Sequence, residues 1–247
     1  MLRLAGGLIL LVLIAVAVLT VAGVGQRGAV FVACVRAAVQ LAFVAAALRG
    51  VFAAPLLTVL VVAVMFSVAT WTAARRLAGL ADAGRAVVLA CGMGAAIAVG
   101  VICGLPALDR SVRTLVAVCG IVFGGTMTAA TLTGRRLLDG LHRRRDEVEA
   151  WLSIGATPRQ AVADIARSAA SEALVPALDQ TRTVGLVTLP GAFVGALLGG
   201  ASPYGAAKFQ IVVLVGLLCA ESITAVLVAY QLGAPTKLPV DPLPTRR

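Results

Sequence analysis

An all-α, polytopic membrane bundle is the fold class this sequence predicts, and three observations predict it. Of the 247 residues 60% are apolar and only 13% charged, whereas soluble domains hold about half and about a quarter. The mean hydropathy is +1.02. Apolar residues also run unbroken for a full helical span, as in LILLVLIAVAVLTVAGVG at 8–25, where an outer-membrane barrel would alternate apolar and polar positions along short strands. A water-soluble globule is thereby excluded. Glycine shows no three-residue period and five cysteines are too few for a disulfide scaffold, which removes the collagen-like and stapled classes.

A span needs about 20 apolar residues to cross a hydrocarbon core of about 30 Å. Dividing the chain at its charges and its Pro/Gly clusters gives seven: 5–24, 30–48, 54–72, 86–104, 113–133, 173–199 and 208–232. The first follows Arg3 but is longer than the 7–15 apolar residues of a signal peptide, so it is read as retained. The second carries Arg36 and Gln40 one turn apart on one face. The third stops before Arg75 and Arg76, and the fourth fills the apolar run after Arg85. The fifth, bounded by Arg113 and Arg135, holds Thr126 and Thr128, and the sixth holds Pro190 in its middle. The seventh contains Glu221 and is followed by a polar tail at 233–247. All of it reads as one transmembrane domain, 1–247.

Orientation follows from the basic residues, because Lys and Arg of short loops stay on the cytoplasmic side. With the N-terminus outside and the C-terminus inside, fourteen of the 21 basic residues fall in inner segments and five in outer ones. Topology and anionic inner-leaflet lipid account for the net charge of +10. Nucleic-acid binding would require a basic face interleaved with aromatics, and the basic loop has only Trp151. The five cysteines lie inside spans without metal-ligand spacing and read as small core residues. His142, in the run His-Arg-Arg-Arg, reads as a solvated member of a charged face.

The segment 134–172 is the only long polar one. It reads as a helix near 146–154, a break from Gly155 to Pro158, and a second helix. Thr157 before Pro158 has the form of an N-cap followed by proline at the first helical position. This element suits an amphipathic helix on anionic lipid or a docking element for a soluble partner.

Four charges fall inside spans: Arg36, Asp179, Arg182 and Glu221. Each costs roughly 2.5–3.5 kcal/mol at the bilayer centre, so such groups face the bundle interior and find partners. Asp179 and Arg182, at i and i+3, can touch directly. The set reads either as ion bridges that fix packing or, with Gln40, Thr126 and Thr128, as a polar lining of a substrate pathway. Gly191, Gly195 and Gly199 repeat every fourth residue after Pro190, a small-residue face for close packing within the subunit or at a dimer seam. Pro190 and Gly191 also mark a hinge, since proline removes a helix hydrogen bond. No catalytic set can be assembled. A P-loop needs Gly-Lys-[Ser/Thr], but Lys208 follows Ala207 and Lys237 follows Thr236, so the chain does not hold ATP by that route.

Residues 176–213 carry a more specific pattern. Pro176, Thr183-Val184-Gly185-Leu186-Val187, Leu189-Pro190-Gly191, Gly195, Leu198, Gly200, Pro203, Ala206 and Gln210-Ile211 resemble the most recognisable stretch of the FetB / UPF0014 permease family. The run RAAVQL at 36–41 and the loop SIGATPRQA at 153–161 are similar to that family's Arg-x-x-x-Gln-Leu and L-G-A-[ST]-P-x-Q-A. Glu149-Ala150 followed by Gly155 resembles the coupling loop by which ABC importer permeases engage their ATPase. The resemblance departs at Asp179-Gln180, where the family has Asn-Ser, at Arg182 in place of a Met, and at Thr126 and Thr128 in a region that is Asn-containing in the family.

The resemblance implies the transmembrane subunit of an ABC transporter in the cytoplasmic (inner) membrane, from a family linked to iron export in bacteria and aluminium tolerance in plants. It implies that Glu149, Trp151, Leu152, Gly155 and Pro158 couple to a separate ABC ATPase, that ATP is held by that partner with no cofactor on this chain, and that the chain forms a homodimer. Which residues would meet a metal is left open. Two rivals are an ion-coupled carrier using Asp179 and Glu221, and a membrane scaffold that only docks a partner.

Overall fold

The computed structural model describes residues 2–51, 55–105 and 111–235, so most of the expected polar tail lies outside the described residues. Every regular element among them is helical. The chain forms two compact units, Met1–Thr58 and Val59–Arg247. The first unit pairs α1 (Leu2–Val21) with α2 (Arg27–Val51). Gly23, at a φ of 69°, takes the left-handed conformation that ends α1. α3 (Pro55–Arg76) begins at the boundary and lies mostly in the second unit, followed there by α4 (Ala83–Gly104), α5 (Val112–Arg143), α6 (Arg145–Ser153), α7 (Pro158–Thr183), α8 (Gly191–Leu198) and α9 (Pro203–Leu232).

By length and composition five described helical segments are long and apolar enough to cross a membrane: Gly28–Ala46, Leu56–Arg76, Ala83–Gly104, Val112–Arg143 and Pro203–Leu232. Gly6–Val21 is a shorter apolar one. The protein is thus an all-helical membrane protein, as its composition dictates. The expected spans differ most at the end of α5 and in the sixth span. α5 does not stop at 133 but runs to Arg143, because Leu137 and Leu141, one turn apart, are buried against Val162 and Ile165 of α7. Two glycines make room for that packing: a Cβ on Gly134 would collide with Leu77, just past the end of α3, and one on Gly140 with Ile165. The charges on its other face hid this amphipathic extension from a reading based on hydropathy.

The expected sixth span, 173–199, is not one helix. α7 ends at Thr183, residues 184–190 are non-helical, and α8 covers only Gly191–Leu198. Gly185 takes a φ of 80°, and the N–H groups of Leu186, Val187 and Thr188 all turn back to the carbonyl of Thr183. Pro190, which has no N–H to continue a helix, stands as the N-cap of α8.

The centre of the second unit is the packing of α4, α5 and α9, brought close by small residues. A Cβ on Gly94 would lie 2.5 Å from Thr224 Oγ1 and 2.6 Å from the Ala220 carbonyl oxygen of α9. Gly216 of α9 receives Ile102 of α4 in the same way. Phe66 of α3 meets Phe123 of α5 edge to face, with ring centroids 5.3 Å apart. Around the basic end of this bundle α6 and the first half of α7 close the core, with Val148, Ala161, Val162, Ile165 and Ala169 all buried.

Candidate functional site

Two features stand out in the second unit: a polar layer within the bundle and an exposed, capped turn at its basic end. The layer is built where α4, α5 and α9 are closest. Glu221 is 8% exposed, and its carboxylate lies over Gly125 of α5, where a Cβ would come within 2.6 Å of Oε1. Thr224, one turn along α9 and fully buried, donates its hydroxyl to the Ala90 carbonyl of α4 at 3.3 Å. Cys91 donates to the Thr126 carbonyl at 3.6 Å, and the Thr126 hydroxyl donates to Phe123. Thr128 is exposed and returns its proton to the Gly124 carbonyl. No ion pair reaches Glu221 among the described residues, so a charge placed here is costly.

The end of α7 stands at the same depth. Arg136 of α5 pairs with Glu172 of α7 at 3.1 Å, and Gly140 packs on Ile165, so the two helices run antiparallel. Arg135 and Arg136 are the first charges after the apolar run of α5. From Glu172 to Thr183 the helix rises about 16 Å, whereas α5 continues about 36 Å from Arg136 back to Val112. α7 therefore ends opposite roughly residues 122–125 of α5, about halfway along the apolar stretch of that helix. The α7–α9 register agrees: a Cβ on Gly233 would meet that of Ala166 at 3.2 Å, which sets Glu221 opposite about residue 178. Asp179 and Arg182 at this end form the expected i, i+3 ion pair, at 3.6 Å. Both are exposed on the unit rather than turned into its interior, unlike Glu221. Arg36 and Gln40 lie on α2 of the first unit, and both are exposed there.

Non-helical backbone halfway across a bilayer is tolerated where protein covers it or where it lines a water-filled cavity. Discontinuous helices of this kind mark the substrate sites of many transporters. The glycines after Pro190 do not pack within the subunit as one expectation had it: nothing among the described residues lies within 4 Å of a Cβ on Gly191 or Gly195, and one on Gly199 meets only carbonyls of α8.

The exposed turn joins α6 to α7. Thr157 caps α7 with a complete capping box: its side chain accepts from the Gln160 N–H, and Gln160 Oε1 accepts from the Thr157 N–H at 2.9 Å. Pro158 follows at the first helical position, as expected. Gly155, at a φ of 93°, makes the reversal that a side chain would oppose. Asp146 and Glu147 occupy the first turn of α6, where the helix dipole favours negative charge. Arg144 donates two hydrogen bonds to Glu147, at 2.6 and 2.7 Å, and holds that carboxyl below the usual carboxylate range. Arg145 pairs with Glu149 at 2.8 Å.

Of the two apolar residues expected to meet a partner, Trp151 is 49% exposed. Leu152 is half-buried and packs inward beside the buried Val148, so it anchors α6 to the bundle instead. This corrects the expectation for Leu152: helical periodicity puts residues 148 and 152 on one inner face. Ile154, two residues on, is 75% exposed. Sequence reasoning passed over Ile154, although an isoleucine directly before the turn glycine of a polar helix was a legible signal. His142 is also a correction. It is half-buried, and its Nε2 has no hydrogen-bond partner among the described residues, because the extension of α5 carries it into the packing beside Leu141. Cys91 and Cys119 are buried as expected, whereas Cys34, Cys103 and Cys219 are exposed.

The uncharacterised protein family UPF0014 matches residues 3–234. The chain belongs to this family. Among its relatives is the UPF0014 membrane protein STAR2 of Oryza sativa subsp. japonica, 34% identical over 166 residues, 67% of this chain and 58% of that protein. The UPF0014 membrane protein YjkA of Bacillus subtilis is 28% identical over 207 residues, 83% of either chain. The probable iron export permease protein FetB of Escherichia coli is 32% identical over 174 residues, 70% of this chain and 67% of that one. No solved structure matches the chain.

Proposed function

We propose that this UPF0014 protein is the transmembrane subunit of an ABC exporter for a metal ion of the iron kind, driven by a separate ATPase. The observation that carries the reading is the docking turn. A capped, glycine-reversed corner at the basic end of a membrane bundle exposes Trp151 and Ile154, apolar side chains that the bundle itself leaves uncovered. The chain has no P-loop to supply the energy itself. Kinship with a probable iron export permease supports the cargo class. In this reading the basic end faces the cytoplasm, the N-terminus lies outside, and the broken α7–α8 element completes seven crossings. Asp179, Arg182, Glu221, Thr126 and Thr128 line the path, and two copies enclose it. The chain is a multi-pass protein of the cytoplasmic membrane, and catalysis belongs to the partner.

Co-expression with a lone ABC ATPase subunit tests this. Trp151→Ala with Ile154→Ala lowers recovery of the ATPase on the purified permease by about tenfold or more, since buried aromatic anchors are worth about 2 kcal/mol or more each. Undiminished recovery and undiminished iron-stimulated ATP hydrolysis overturn the reading. Glu221, buried without an ion pair, favours a second reading, an ion-coupled carrier. That reading requires transport in vesicles from a proton gradient with no ATPase present.

A further inference from the structure

The docking turn is tied to the bundle by a contact that neither the packing core nor the polar layer includes. Arg159, the second residue of α7, lays its guanidinium over the ring of Tyr230 in the last turn of α9, Cζ 3.7 Å from the centroid. A planar guanidinium on an aromatic face is an oriented contact, unlike the point charge of a lysine. Arg159 lies inside the capping box formed by Thr157 and Gln160, so its backbone moves with the turn. At the far side, Tyr230 stands nine residues from Glu221 on one unbroken helix, about 13 Å along its axis. The α7–α9 approach at Gly233 and Ala166 lies one to two turns beyond Arg159 on α7, close enough that the two helices cannot approach further there. A displacement of the turn is therefore passed to α9 as rotation or tilt. The other ties of the α6–α7 element lie farther from the turn or on other helices: Ala170 packs with Ala225 and Ala229 of α9 deeper in the bundle, Arg136–Glu172 joins α5 to α7, and Val148 and Leu152 enter the shared core.

We propose that the stack of Arg159 on Tyr230 is the relay by which a partner seated on Trp151 and Ile154 sets the position of α9, and through α9 the Glu221 layer. The relay rests on the reading of the turn as an ATPase docking site. Arg159 and Tyr230 are positioning residues, distant from the layer at Glu221. The test uses the permease with its ATPase in inside-out vesicles, with ferrous iron as the probe, and reads iron moved per ATP hydrolysed. Tyr230→Leu and Arg159→Ala each lower that ratio about two- to fivefold, the range an exposed cation–π contact supports. Tyr230→Phe keeps it, and the double variant falls no further than either single one. ATPase recovery stays at the parent level throughout, which separates a relay from a docking residue.

The relay is overturned if both single variants couple like the parent, if their losses add in the double variant, or if the ATPase is no longer recovered with them. A parent complex that hydrolyses ATP without moving iron overturns the functional reading, and the relay with it. That result differs from a coupled parent whose variants are unchanged.

Discussion

Gly94→Ala tests whether the close approach of α4 and α9 holds the polar layer together. The added methyl would lie 2.6 Å from the Ala220 carbonyl oxygen and 2.5 Å from Thr224 Oγ1. Carbon-to-oxygen contacts between helices settle at about 3.3–3.6 Å, so the helices must separate by roughly 0.7 Å. The obstacle at Ala220 is backbone and cannot rotate aside. A gap of about 0.5–1 Å forfeits a quarter to a half of the dispersion attraction of the facing atoms, and overpacking of this kind costs about 1–3 kcal/mol. The bond from Thr224 to the Ala90 carbonyl, 3.3 Å long, lengthens out of range. At about 2–4 °C per kcal/mol for a chain of this size, thermal unfolding in detergent is expected to fall by roughly 2–12 °C. Gly124→Ala is the control: nothing lies within 4 Å of its Cβ, and alanine is the better helix former by about 1 kcal/mol. Equal melting temperatures for Gly94→Ala and Gly124→Ala refute the reasoning.

Thr157→Ala removes the cap of α7 and is expected to cost about 1 kcal/mol, seen as faster amide exchange over the first turn of α7; Thr157→Ser should restore protection. Arg182→Ala leaves Asp179 without the ion pair seen at 3.6 Å and should lower folded yield, by up to about 2.5–3.5 kcal/mol on insertion scales. Pairing it with Asp179→Ala should recover yield without recovering transport, and normal transport by the double variant would show that the two groups serve packing only. Glu147 has its carboxyl lowered by Arg144, so the stability it contributes is present above the unfolded carboxylate value of about 4.3 and is lost as pH falls through its lower folded value. The start of α6 should therefore be unchanged from pH 8 to 5 and loosen only in stronger acid. A Glu147 carboxyl resonance titrating at or above about 4.3 contradicts this.

Composition and run length alone determined the membrane class, the helical fold and most span positions, because a bilayer demands about 20 apolar residues whatever surrounds them. Local chemistry determined the turn at 155–158: cap, proline and glycine act through their own backbone and need no distant partner. The family was legible in the run from Thr183 to Gly191 for a similar reason, since the residues that break a helix are specific ones.

Tertiary structure decided what depends on two helices at once. Leu137 and Leu141 carry α5 past its charges because α7 offers a surface to bury them. Leu152 turns inward and Ile154 outward because the inner face of α6 is already set by Val148. Glu221 is buried where Gly125 leaves room for it, whereas Asp179 and Arg182, equally charged, stay exposed where α7 ends. Hydropathy is a property of one residue, but burial belongs to a pair of surfaces, and no scan along the chain names the second.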